Sequence, residues 1–197
     1  MAQRFDISDK LIHFTSGESE DDAFARLRAI VSQRRLIGGS YMVRGGYRCV
    51  SFTEAPIEAF VDAFVQRFPF TRYSQFGLMF HKSWVYDRGG RPVIYQPDID
   101  FGILPEELRW RHVRYEPTGE QAIDFTWERE WRMRCDELTF SPADASIVVP
   151  NEEWAYALRR SHDAEQDMVV EQYATAIGRQ VAELWREPFL WHIAPLQ

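Results

Sequence analysis

Between residues 122 and 135 the chain reads AIDFTWEREWRMRC, a run in which charged and large apolar side chains take turns. A period of two marks an extended strand, because successive side chains of a strand point to opposite faces. Read as one long strand, the segment sets Glu128, Glu130, Arg132 and Arg134 on one face and Trp127, Trp131 and Met133 on the other. The chain must therefore build a sheet with an apolar layer behind this strand and something charged in front of it. Two carboxylates on alternate positions raise each other's pKa unless a cation or polar ligand shares their site. A solvated face laced by Glu–Arg pairs is the plain alternative.

The rest of the sequence supplies partners for that strand. DKLIHFT (9–15) alternates and places Leu11, His13 and Thr15 on one face. SEDDAFARLRAIVSQRRLIGG (19–39) is a helix with Ser19 and Asp22 at capping-box spacing, acids in its first turn and Phe24, Leu27 and Val31 on its core face, stopped by glycine. YRCVSFTEAP (47–56) alternates again. A second helix follows, with Ile57, Phe60, Val61, Phe64, Val65 and Phe68 at spacings of three and four, a buried pattern. FGLMFHKSW (76–84), RPVIYQ (91–96) and ASIVVP (145–150) read as strands, the proline-punctuated 97–119 stretch has no clear reading, and helices close the chain. Strand, helix, strand, helix, then mostly strands predicts an α+β domain rather than a doubly wound sheet.

With 197 residues, 45% of them hydrophobic and seven of them tryptophan, the chain holds one sizeable core. We expect a single domain over 1–197, with a motif-bearing core over about 11–150 and a helical part over about 151–197. Cys49 and Cys135 make neither a disulfide framework nor a metal pair, the first residues contain no apolar signal-peptide core, and no apolar run is membrane-length. The expected location is cytoplasmic, with no membrane partner. The net charge of −7 argues against broad nonspecific coating of nucleic acid, although a local basic cleft stays open. Lys10 and Lys82 are the only lysines, so the cations are almost all arginines, the better fork for phosphate.

Three segments place short polar side chains at or near strand ends amid apolar neighbours: HFT, CVSFTE and EREW. With IHFT (12–15), a helix ending in RRLIGG (34–39), YRCVSFTEAPI (47–57), YSQFGLMFHKSW (73–84), GGRPVIY (89–95) and FTWEREWRM (125–133) in this order, the chain resembles the ADP-ribosyltransferase superfamily. The likeness is strongest to its small bacterial branch of DarT-like and AbiGi-like proteins from phage-abortive systems, and it spans roughly residues 11 to 135.

The resemblance implies a split, strongly twisted β-sheet core with flanking helices and an NAD-dependent transferase of the toxin or phage-defence kind. NAD would be the substrate and no metal would take part. Breaking the bond between ribose and nicotinamide builds positive charge on the sugar, and the superfamily stabilises it with a glutamate on a late strand, here Glu130. Glu128 would orient or deprotonate the acceptor. His13 and Thr15 would hold the adenosine ribose, and Ser51 and Thr53 would line the nicotinamide side. Where DarT-like sequences carry a phosphate-handling arginine after the second strand, this chain has Glu54, which leaves Arg48 and Arg91 as the candidates for that duty. The acceptor would be a nucleic acid or a protein, and a cognate antitoxin or toxin is a further expected partner. The rival readings are a catalytically silent antitoxin or sensor module binding through aromatic side chains such as Trp154, Tyr156, Phe189 and Trp191, and a metal-dependent nuclease built on Glu128, Glu130 and His81.

Overall fold

The computed structural model describes residues 7–56, 73–119 and 122–197; the helix expected over 57–68 lies outside them. The described residues form a mixed α and β fold around a largely antiparallel sheet. Its strands in chain order are β1 (Lys10–Phe14), β2 (Arg35–Ile37), β3 (Cys49–Thr53), β4 (Gly77–His81), β5 (Arg91–Pro92), β6 (Ile94–Gln96), β7 (His112–Arg114), β8 (Glu130–Arg134), β9 (Glu137–Thr139), β10 (Ala145–Val149) and β11 (Ile193–Pro195). The helices are α1 (Glu20–Gln33), α2 (Lys82–Asp87), α3 (Glu152–Ile177) and α4 (Arg179–Glu183).

Seven strands make the central sheet in the order β11-β10-β4-β1-β3-β8-β5, with only the β10–β11 edge parallel. The pairs β2–β9 and β6–β7 form two small satellite sheets. β1 runs beside β4 through five registered pairs but meets β3 at one, Ile12 with Thr53. The sheet therefore has two wings, β11-β10-β4-β1 and β3-β8-β5, hinged at that pair rather than forming two separate sheets. Gly77 belongs to this seam: a Cβ there would stand 2.6 Å from the His13 carbonyl oxygen, so only glycine lets β4 lie so close to β1.

One face of the sheet carries Leu11, Val50, Phe52, Leu78, Phe80, Trp131, Met133 and Ile147 into a continuous core with α1 and α3. Phe24 of α1 and Trp154 of α3 meet with ring centroids 4.8 Å apart, which joins both helices over the sheet. Each helix starts as its sequence dictates: the Ser19 and Asn151 side chains accept from the Asp22 and Trp154 amides, filling donors that the first turn leaves open. No helix among the described residues is long and apolar enough to cross a membrane.

Several local expectations change. The first helix ends at Gln33, because Arg34 turns left-handed (φ 53) and Arg35–Ile37 leave to pair with Glu137–Thr139, a tertiary demand that helix periodicity does not register. The 76–84 strand stops at His81, and α2 takes over. The 91–96 strand divides between two sheets. The long alternating segment contributes only five residues to the sheet: Thr126–Glu128 form a 3-10 turn, and Arg129 is left-handed at φ 44. The C-terminal helices are one long helix and one short helix, divided at Gly178 (φ 83). The parallel edge strand β11 had no signature in the sequence beyond three residues of FLWHIAPLQ.

Candidate active site

The cleft opens where the two wings part. It has a volume of about 750 Å³ and is bordered by β1, β3 and β8, with the 41–44 loop, β7 and Phe125 at its other sides. Binding sites for small ligands typically measure about 300–1,000 Å³ and combine apolar walls with a few polar groups. Ile12, Phe14, Val43 and Phe52 supply apolar wall here, and the charged lining is Arg44, Asp98, Arg114, Glu128, Glu130 and Arg132.

Strand register explains the polar row. Across β3 and β8, Thr53 stands opposite Glu130 and Ser51 opposite Arg132, and residues directly opposite share a face. Glu130 and Arg132 also lie two apart on β8, so their side chains are neighbours. Arg132 donates to both carboxylate oxygens of Glu130, from Nε at 2.8 Å and from Nη2 at 3.1 Å. Its remaining terminal nitrogen donates to the Trp110 and His112 carbonyls at 3.2 and 2.9 Å. The guanidinium is buried and has oxygen partners on every nitrogen, which fixes the direction of the carboxylate. The backbone of Glu130 is pinned as well, its amide donating to the Tyr95 hydroxyl (3.2 Å) and its carbonyl accepting from Val93 (3.0 Å). Burial, with the charges of Glu130 and Glu128 nearby, pushes the Tyr95 phenol up to about 12, so it stays a neutral donor to the Phe125 carbonyl.

Glu128 reaches the same cleft by another route than strand alternation. The left-handed Arg129 turns the chain between the two glutamates, and the Thr53 hydroxyl donates to the Glu128 carbonyl at 2.5 Å. The Tyr73 hydroxyl donates to the Glu128 carboxylate. His13 sits at the seam. Its Nδ1 lies 2.8 Å from the Ser51 carbonyl, which only accepts, so Nδ1 carries the proton and Nε2 is left as an acceptor in the neutral ring. The imidazole bridges β1 to β3 where the backbone pairing has ended. Burial lowers its pKa, against the smaller opposing effect of the Ser51 bond.

The structure thus gathers His13, Ser51, Thr53, Glu128 and Glu130 around one cleft. It does not bring Thr15, Arg48 or Arg91 to that lining. Thr15 follows β1 but is buried against Ser74, its hydroxyl within reach of Ser74 Oγ (3.0 Å) and the Phe76 carbonyl (3.1 Å). Arg48 pairs with Asp136 at 3.1 Å, and Arg91 is held at the sheet edge. Glu54 turns away, between Lys82 and the Trp131 indole. His81 lies at the end of β4 remote from the seam, exposed against Lys10, and does not join Glu128 and Glu130. Among the described residues no three His, Cys, Asp or Glu side chains gather as metal ligands.

Sequence reading missed Arg44, Arg114, Tyr73 and the clamping role of Arg132. Arg44 pairs with Asp98 and stacks 4.4 Å over Phe101, and Arg114 pairs with Glu116 through Nε at 2.9 Å. Both lie in loop-rich stretches without periodicity, where no local signal marks a cleft residue; Arg132, two positions after Glu130, was legible as its neighbour. No family model matches the chain, and comparisons with curated proteins and with solved structures give no match either.

Proposed function

We propose that the cleft binds NAD and that the protein transfers ADP-ribose from it to an acceptor macromolecule, a nucleic acid or a protein. The supporting observation is that His13, Ser51 and Glu130, which come from three separate stretches of the chain, stand on three adjacent strands around one cleft. The donor set suits the molecule: apolar walls for two aromatic rings, the Nε2 acceptor of His13 for a sugar hydroxyl, and Arg44 and Arg114 for phosphates. The ADP-ribosyltransferase fold itself is part of this proposal.

Each side chain then has one task. Glu130 presents a fixed negative charge to the sugar carbon that becomes cationic as nicotinamide leaves. Arg132 holds that carboxylate in place. Ser51 borders the same face of the cleft, and Thr53 fastens the Glu128 backbone to β3, so its hydroxyl is a structural latch. Glu128 stands beside Glu130 for an incoming acceptor.

A silent binding module is the second reading. One observation favours it: both oxygens of Glu130 are already engaged by Arg132, which offsets the charge that the chemistry needs. The full chain incubated with NAD labelled in its adenylate phosphate, beside separate protein, DNA and RNA pools, decides between them. Transfer predicts label in one pool and a raised melting temperature with NAD. A melting shift without label leaves a cleft that holds NAD without transferring it, and neither effect at millimolar NAD overturns the transferase and favours the silent module.

A further inference from the structure

At the β5 edge of the β3-β8-β5 wing the charges of the described residues do not balance. Arg91, on the edge strand β5, stands directly opposite Arg132 in the register. Arg132 has Glu130 as counter-ion. Arg91 has no carboxylate partner among the described residues: its Nη1 donates to the Tyr86 and Gly90 carbonyls at 2.7 and 2.6 Å, and its guanidinium lies 3.9 Å over the half-exposed Tyr86 ring. Arg111 comes to the same corner from the turn before β7, where its Nε donates to the Pro92 carbonyl at 2.9 Å. No ion pair among the described residues includes Arg91 or Arg111, whereas Arg44, Arg48, Arg114 and Arg132 each have an acid partner.

Two like charges held together by the fold repel each other, and burial adds to the cost. That strain registers on Arg111, whose pKa is lowered by burial first and by Arg91 second. The anchoring bonds use backbone carbonyls, which fix the position of each guanidinium without neutralising it. They leave Nε and Nη2 of Arg91 and both terminal nitrogens of Arg111 without a protein acceptor among the described residues. A pair of guanidinium forks with donors left over matches the anionic oxygens of a phosphate group.

We propose that Arg91 and Arg111 form a phosphate-binding site at the sheet edge, outside the cleft. The site takes a phosphoryl group, whether the terminal phosphate of a small molecule or the phosphodiester of a nucleic-acid strand. It stands independently of ADP-ribosyl transfer, since nothing in it uses Glu130 or NAD.

The test is titration of the full chain with inorganic pyrophosphate at low salt, read by calorimetry and by the Nε–H resonances of the arginine side chains. The expected result is saturable binding that moves the Arg91 and Arg111 resonances. Arg91→Gln or Arg111→Gln, at unchanged melting temperature, should weaken it about tenfold or more, as expected for losing a charge-assisted fork. Arg160→Gln, on α3, should leave it unchanged. Competition then identifies the source: displacement by adenosine monophosphate but not by a dinucleotide without terminal phosphates assigns a terminal phosphate, and displacement by the dinucleotide assigns a phosphodiester. Absence of saturable binding overturns the proposal. So does equal affinity in the double variant, or resonance shifts confined to Arg44 and Arg114, which would put the anion in the cleft; the resonance readout needs no variant to fold.

Discussion

Replacing Arg132 with methionine tests the clamp at the centre of the site. The change keeps much of the aliphatic volume and removes the guanidinium from a position where its side chain is 5% exposed and that of Glu130 is 12% exposed. At such burial, screening by solvent discounts little. Breaking a buried pair by deleting one partner costs about 3–5 kcal/mol, because the other charge stays behind. The Trp110 and His112 carbonyls also lose a donor, at about 1–3 kcal/mol each if no water replaces it. Glu130 faces the cleft, so water reaches part of this cluster, and a total loss of about 4 kcal/mol is expected. In a domain of this size 1 kcal/mol moves the melting temperature by about 2–4 °C, which gives a fall of about 8–16 °C. The assay is urea unfolding by tryptophan fluorescence, with the midpoint lowered and the slope unchanged. Glu130→Gln in the Arg132→Met background removes the stranded charge and should recover about 2 kcal/mol. A loss below about 1 kcal/mol for Arg132→Met, or a double variant less stable than Arg132→Met alone, would refute the buried-pair reasoning.

Glu130→Gln by itself should lower the transfer rate by at least about a hundredfold, ~3 kcal/mol, with NAD affinity nearly unchanged, in single-turnover kinetics and a binding titration. His13 titrates below its unfolded value because it is buried, so the unfolded chain takes up a proton first as pH falls. Stability should therefore be full above about pH 6.5 and drop as pH falls from there towards the lowered folded value; His13→Asn should flatten that slope below about pH 6.5 in urea midpoints. Thr15→Val strands buried hydrogen-bond partners and should cost about 1–3 kcal/mol in the same unfolding assay, without altering the NAD titration. Gly77→Ala forces a Cβ against the His13 carbonyl and should cost about 1–3 kcal/mol while weakening NAD binding, since it moves β1 at the seam; unchanged NAD affinity would separate the seam from the site.

Much of this protein is written in local pattern. The Ser19 cap, the Phe24–Leu27–Val31 stripe and the alternation around Trp131 and Met133 each appear as their spacing foretells, because helix and strand periods act over a few residues. The mixture of α and β elements follows from the order of those patterns. His13, Ser51, Thr53, Glu128 and Glu130 also stand out in sequence, since polar residues at strand ends amid apolar neighbours are the exception.

Pairing over long separations was decided elsewhere. That β1 and β3 meet at one registered pair is a matter of pairing between segments some forty residues apart, and the cleft is lined from both strands. Thr15 shows the limit of alternation: it shares the parity of His13, yet it lies past the end of β1, and Ser74 claims its hydroxyl. Arg91 and Arg111 are twenty positions apart and become neighbours only because β5 adds to β8 while the turn before β7 bonds to Pro92. A residue's own spacing sets which way it faces, but its charge partner is chosen by whatever the tertiary fold brings opposite, and no local period encodes that choice.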